Sequence, residues 1–504
     1  MLAVMSIMGR RARRNIGLGA LACCLLMVLP GCSRRVDIAT TLEAQPQNVL
    51  FEQGLASFKA FTPDAYSEAV NYFKQAVDLV PDNCRFHLHL SETLLFLALE
   101  QRLNLEEFDT TRNEALAALE RARTAGITPT DGQNCQEVGC GGAAFILRLE
   151  AISLLDEFQP GGDPTALRKI AEAIELDPDD PMNWFVRWRL NPNTRRQENA
   201  ILKAAELGGN LALIQYELGN YWLIRADYPQ ARLAFEQALE LSPGHFRSYI
   251  GLAQAISATE DTTDEDLAEN LYRKATHLAP GFIEGRILLG DYMAGLDEIE
   301  AAREEYTAVI ALNPDYEVAH LRLGVTELQA GRFDRAEPSF ERAIEINPSS
   351  YQAYYYLGNV WLSRRDLGRA KQLYEESLKY VLNFPEALYA LGTVYLREGN
   401  LAVALDHFER VLEQNRRHAD AYFSRAAIRV QRQQYAGAIE DYILALALYD
   451  TQVVALIESI ADLEARGSTR KVDIEKRRKA RVEGLMERTR RAKMRAEDES
   501  LRKP

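Results

Sequence analysis

Residues 351–384 read YQAYYYLGNVWLSRRDLGRAKQLYEESLKYVLNF. Leu357, Gly358 and Trp361 keep helical spacing in the first half, and Ala370, Leu373, Tyr374 and Leu378 keep it after Arg365-Asp366-Leu367-Gly368. Two short amphipathic helices joined by a turn are predicted. Stepping outward by 34 residues, the register returns at Gly290, Gly324, Gly358 and Gly392, with Ala426 at the next step. Ala302, Ala336, Ala370, Ala404 and Ala438 recur likewise, followed four residues on by Tyr306, Phe340, Tyr374, Phe408 and Tyr442. Pro280, Pro314 and Pro348 close three successive units, where a residue lacking an amide donor stops the second helix. Such a period means stacked helix pairs, none of which buries its apolar face alone. Gly358 and Ala370 are expected where the two helices touch, and Tyr374 as a wedge between units.

Leu218-Gly219, Trp222, Ala231, Phe235, Ala238 and Pro243 resemble the tetratricopeptide repeat residue for residue, and Leu323-Gly324, Ala336, Phe340, Ala343 and Pro348 do so equally. Six such units run from about Leu213 to Asp450, with an insertion around Asp261-Thr262-Thr263-Asp264. Another lies at Ala69, Phe73, Ala76 and Pro81, and residues 83–210 keep the helix pairs but lose most of the pattern. The resemblance implies an all-α fold, a right-handed superhelical solenoid of tetratricopeptide-type helix pairs. The expected divisions are 1–31 a lipoprotein signal peptide, 32–49 a linker, 50–210 divergent repeats, 211–452 the regular array, and 453–504 a C-terminal helix and basic tail.

In that family ligands meet the concave face, lined by positions 2, 5, 9 and 12 of each first helix, which share one stripe. Position 5 gives Tyr216, Ile287, Leu321, Tyr355, Tyr389 and Phe423; position 9 gives Asn220, Asp291, Val325, Asn359, Thr393 and Ala427. The candidate groove is therefore Tyr216, Asn220, Asp291, Tyr355, Asn359, Tyr389, Thr393 and Phe423. Rings supply apolar area and the amide and hydroxyl groups pair with backbone, which suits a peptide or another protein's helix. The competing reading is that these aromatics pack within the superhelix. With only Arg322 and Arg397 as groove cations, capture of a C-terminal carboxylate is disfavoured.

At the start, Arg10, Arg11, Arg13 and Arg14 precede the apolar run Ile16 to Leu29, which is shorter than the roughly 20 residues a membrane span needs. Leu29-Pro30-Gly31-Cys32 resembles a bacterial lipobox, with Pro30 departing from the usual small residue. The resemblance implies lipidation of Cys32, a membrane anchor made by acyl chains, and, with Ser33 following, an outer-membrane position facing the periplasm. Once Cys23, Cys24 and Cys32 are set aside, Cys84, Cys135 and Cys140 remain, enough for one disulfide and one thiol. Cys135 and Cys140 flank a loop suited to a local bridge, and whether Cys84 or Cys135 pairs with Cys140 stays open.

No catalytic or metal-binding motif is found. His87 and His89 point to different sides of a helix, Gly139-Cys140-Gly141-Gly142 lacks the Lys-Ser/Thr of a phosphate loop, and Asp261 to Asp266 lacks the Gly and distal Glu of a calcium loop. Neither metal nor cofactor is expected, and small-molecule ligands are disfavoured. The net charge of −14 conceals a +4 start and a +8 segment from Arg466 to Pro504, so residues 32–465 carry −26. Such a body repels nucleic acid. The C-terminal segment reads as a charged helix or a frayed tail, with solvent, an anionic envelope polymer or the protein's own acidic body against it. Together these features predict a non-enzymatic scaffold that binds proteins or peptides in its groove. The envelope pathways open to it are assembly, secretion, pilus biogenesis and exopolysaccharide export. The alternative is a non-catalytic accessory subunit of a cell-wall or glycan-modifying enzyme.

Overall fold

The computed structural model describes residues 46–502 apart from 61–62, 102–104, 126–141, 155–162, 191–194, 260–264, 466 and 468. Among the described residues all regular structure is helical, as the repeat pattern predicts. The chain forms two compact units, one reaching Ile224 and including Leu233–His245, the other made of Arg225–Arg232 and everything from Phe246 on.

The first unit holds α1 (Pro46–Ala60), α2 (Pro63–Leu79), α3 (Cys84–Gln101), α4 (Leu105–Ala125), α5 (Gly142–Ser153), α6 (Pro164–Leu176), α7 (Pro181–Arg189), α8 (Arg195–Leu207), α9 (Ala212–Ile224) and most of α10 (Tyr228–Leu241). Where the repeat pattern fades, a polar network takes over. Arg148 on α5 is buried and bonds Glu92 of α3 at 2.9 Å, Asn183 of α7 at 3.2 Å, and Asp180 just before α7. Its guanidinium also lies 4.3 Å from the Phe145 ring centroid. One buried cation thus joins three helix pairs, its charge offset by two carboxylates, as a low-dielectric interior requires.

The second unit holds α11 (Phe246–Ala258), α12 (Glu265–Leu278), α13 (Ile283–Gly295), α14 (Ile299–Leu312), α15 (Glu317–Gln329), α16 (Phe333–Ile346), α17 (Tyr351–Ser363), α18 (Leu367–Tyr380), α19 (Pro385–Arg397), α20 (Leu401–Gln414), α21 (Ala419–Gln431), α22 (Tyr435–Ala465) and α23 (Thr469–Leu501). From α13 to α22 each helix packs on its predecessor in chain order. A Cβ placed on Gly358 would stand 2.5 Å from the Tyr374 ring, and Gly290 against Tyr306 or Gly324 against Phe340 would meet at 2.6 Å. The missing side chain is the seat of the ring. Tyr374 is fully buried and shares its cluster with Ala387, Leu388 and Leu391 of the next pair, so it packs its own pair and wedges the next.

Asp297, Gly331, Arg365, Gly399 and Gln433 all have φ between 63° and 80°. They stand 34 residues apart, one in each turn between paired helices. The amide of the following residue donates back to the carbonyl five residues earlier, as from Glu298 to Met293 at 3.0 Å and from Asp366 to Trp361 at 3.0 Å. The left-handed position is thus structural in every unit, although only two of the five residues are glycine.

Two expected boundaries shift, and of the two readings of the basic segment, charged helix or frayed tail, the structure has the helix. Helix α1 begins at Pro46, inside the stretch expected as linker. Helix α22 runs through residue 452 to Ala465, and the basic tail is a 33-residue helix, α23. Residues 1–31, Cys32, Cys135, Cys140 and the insertion at 261–264 lie outside the described residues. Cys84 opens α3 in a disulfide whose partner, since Cys84 is the one described cysteine, also lies outside them.

Candidate functional site

The first helix of each pair brings its positions 5 and 9 onto one side, and the structure shows what each side chain there does. Tyr216 and Asn220 belong to the first unit: the Tyr216 ring packs on His245 at 4.8 Å and Phe235 at 6.0 Å, and the Asn220 amide donates to Glu217 at 3.2 Å. The other six belong to the second unit.

Tyr355 is half-buried, its ring 5.2 Å from Phe384, 5.0 Å from Tyr356 and 6.0 Å from Tyr374. Tyr389 is likewise half-buried, 5.6 Å from Phe408 and 4.9 Å from His418, with its hydroxyl 3.4 Å from that of Ser424. Burial raises both phenol pKa values. The aromatic ladder therefore packs on its inner side and shows the array's surface on the other. Thr393 donates to the Tyr389 carbonyl at 2.9 Å, within its own helix.

Two polar residues of the stripe are already engaged. Asp291 accepts the Tyr306 hydroxyl at 2.6 Å, and Asn359 accepts that of Tyr374 at 2.7 Å. Both phenols lie in the paired helix, 15 residues downstream. Burial, reinforced by the Asp291 carboxylate, raises the Tyr306 pKa, and burial raises that of Tyr374. Where the downstream ring is Phe340 or Phe408, the matching residues are Val325 and Thr393. In these four pairs a buried hydroxyl has an acceptor and a phenyl ring does without one, whereas Phe235 follows Asn220 and Tyr442 follows Ala427 at the same distance. Asp291 keeps an ion pair with Arg322 at 3.1 Å, on a side chain 35% exposed, so it still presents charge to the groove.

Phe423 ends the stripe and is covered. Helix α23 folds back along α22 and lays Val482, Leu485 and Met486 in a cluster with Ala419, Tyr422 and Phe423. Farther along, Ala492 and Ala496 pack with Phe423, Ala426 and Tyr442. The Arg488 guanidinium stands 5.0 Å from the Phe423 ring centroid. At its other end α23 reaches the turn before α14: Arg470 pairs with Glu298 at 3.0 Å and Glu269 at 3.5 Å, and Arg477 with Asp297 at 2.7 Å. The basic segment thus lies against the acidic array.

His87 is buried with Nε2 2.7 Å from the Pro81 carbonyl, while His89 is ringed by Phe51, Phe73 and Phe145. Both are structural. Among the described residues no group of three or more His, Cys, Asp or Glu is placed to hold a metal.

Residues 287–350, 321–381 and 389–452, which lie within α13 to α22, match the tetratricopeptide repeat family. A mouse (Mus musculus) protein, protein O-mannosyl-transferase TMTC3, is 30% identical over 94 residues, 19% of this chain and 10% of that protein. The chain thus spans about a tenth of that curated relative. A tetratricopeptide repeat protein of Parabacteroides merdae is similar with 18% identity and a TM-score of 0.40, covering 48% of this chain and 94% of that one. Pseudomonas aeruginosa pilF is similar with 18% identity and a TM-score of 0.36, covering 40% and 91%. At these scores neither structure bears on function.

Proposed function

We propose that this chain is a non-catalytic scaffold that holds partner proteins in the groove of its second unit, and that Cys32 anchors it by lipid to a bacterial envelope, on the outer membrane facing the periplasm. The observation that carries the groove reading is the seating of α23 on Phe423: the stripe accepts a helix through apolar contact and an arginine over a ring. What the stripe takes from a partner, it takes in this way. The half-exposed faces of Tyr355 and Tyr389 continue the same surface, with Asp291 and Arg322 supplying charge. The recruited proteins serve envelope assembly, secretion, pilus biogenesis or polymer export.

A photo-crosslinking residue at exposed Gln352, one residue along α17 from its start, tests the groove in cells. It should trap discrete partners, and Tyr355→Ala and Tyr389→Ala should each reduce the trapped species at least tenfold with helicity retained, since interface aromatics carry energy beyond their number. Crosslinks unchanged by both substitutions would remove the groove as the binding face. Cys32→Ala should move the protein from the detergent-soluble membrane fraction to the aqueous one, and complete retention in the membrane would end the lipid-anchor reading.

A further inference from the structure

We propose that the groove of the second unit is a receptor for basic amphipathic helices, with α23 as its resident occupant, and that a partner segment of the same chemistry enters by displacing α23. The proposal rests on the scaffold reading and names the partner class for that site.

Charge is the first argument. Residues 246–465 carry 35 acidic and 21 basic side chains, whereas α23 carries 12 basic and 7 acidic. Opposite net charges draw the two together and set their orientation more than their affinity. The second argument is the face. Arg470, Arg477 and Arg488, the three arginines that touch the array, stand 7 and 11 residues apart, close to whole numbers of helical turns. Val482, Met486, Thr489 and Ala496 form the adjoining stripe, of which Met486, Thr489 and Ala496 are buried. This arginine row beside a small-and-apolar stripe is the recognition pattern a partner helix would copy.

The third argument is how lightly one end is held. Arg470 and Arg477 are 46% and 64% exposed, and their pairings are of the kind that contributes little and weakens with salt. The Met486 and Ala496 end is packed. At the Arg470 and Arg477 end Val472 is the one buried apolar residue beside these wet ion pairs, against the clusters of Met486 and Ala496 at the other, so the helix can open from that end without unfolding the repeats. Asp297 fits this design. It occupies the left-handed turn position filled by glycine at 331 and 399, and it offers its carboxylate to Arg477 from there.

The test uses the full chain and a fluorescent peptide with the sequence of residues 469–501. In the releasing variant Arg470→Glu/Arg477→Glu/Met486→Glu, hydrogen exchange should quicken across 469–501 while 317–414 keeps its protection. That variant should bind the peptide at least tenfold more tightly than the unaltered chain, by fluorescence anisotropy. Adding Asp297→Gly, which suits the turn and removes the carboxylate, should reverse part of the gain. A peptide with Arg470, Arg477 and Arg488 all replaced by Glu should show none of it. A released variant that binds no better makes α23 an end cap and overturns the proposal. Equal binding of the Glu-substituted peptide overturns the basic specificity. Dimerisation of the released variant without peptide binding makes a second copy the occupant and also overturns it. Crosslinks from Gln352 that depend on Tyr355 and Tyr389 would in each case leave the scaffold reading standing, and their absence would remove that reading by itself.

Discussion

Tyr374 and Asn359 answer to each other across the paired helices of one repeat, and the pairing can be measured. Tyr374→Phe leaves the Asn359 carbonyl oxygen without its 2.7 Å donor and should cost about 1–2 kcal/mol in urea unfolding. Adding Asn359→Val reproduces the Phe340 and Val325 pair and should recover most of the loss; a double-mutant cycle with no coupling would refute the link. Glu92 offers a second test, in the first unit. Burial opposes ionisation of its carboxyl, but Arg148 and His89 more than offset burial and hold the pKa below its ordinary 4.5. The unfolded chain then takes up the proton more readily than the folded one, so this stabilisation is present above pH 4.5 and lost as pH falls toward the folded value. Glu92→Gln, which leaves Arg148 with Asp180 as its remaining ion-pair partner, should cost about 1.5–3 kcal/mol at neutral pH and flatten the acid limb of the stability profile.

The turns between paired helices show where reading the sequence succeeds and where it stops. The 34-residue period, the small residue at Gly358 and the ring at Tyr374 fixed the helix pairs in advance, because each is a steric requirement written in residue size. The left-handed turn residue was hidden, since backbone hydrogen bonds impose its φ and Arg365 and Gln433 accept the strain. Relieving it is a prediction: Arg365→Gly should raise stability by about 0.5–1 kcal/mol, the left-handed penalty less the entropy glycine loses on folding. The groove was half legible. Helical spacing placed Tyr355 and Tyr389 on one side, but how much of each ring Phe384 or His418 covers depends on neighbouring repeats. Helix α22 posed the opposite difficulty. It is long and apolar enough to cross a membrane by length and composition, yet its first half is a repeat helix, with Asp441 buried and bonded by Arg425 at 2.7 and 2.9 Å. Its other face leaves Ile443, Leu444, Val454 and Ile457 nearly half exposed. Ile457→Lys should accordingly change the unfolding midpoint by less than about 0.5 kcal/mol in equivalent stability.

A linear array couples each repeat to its neighbours alone, but in the second unit α23 bonds residues 201 positions apart, Arg470 and Glu269. Gly358→Leu, forced against the Tyr374 ring, should cost about 1–3 kcal/mol or more and loosen α15 to α20 first in hydrogen exchange. A further loss of protection in α23 itself would show that its two anchorages depend on the repeats between them. The same long-range clasp has a consequence during synthesis. Arg470 follows Glu298 by 172 residues, which a ribosome takes about 10–30 s to traverse at 5–20 residues per second. For that interval the repeats exist with Phe423 and Tyr442 bare once made, and a segment translated after them is the one that covers them. Nascent chains stalled before residue 469 should therefore be the form that chaperones retain.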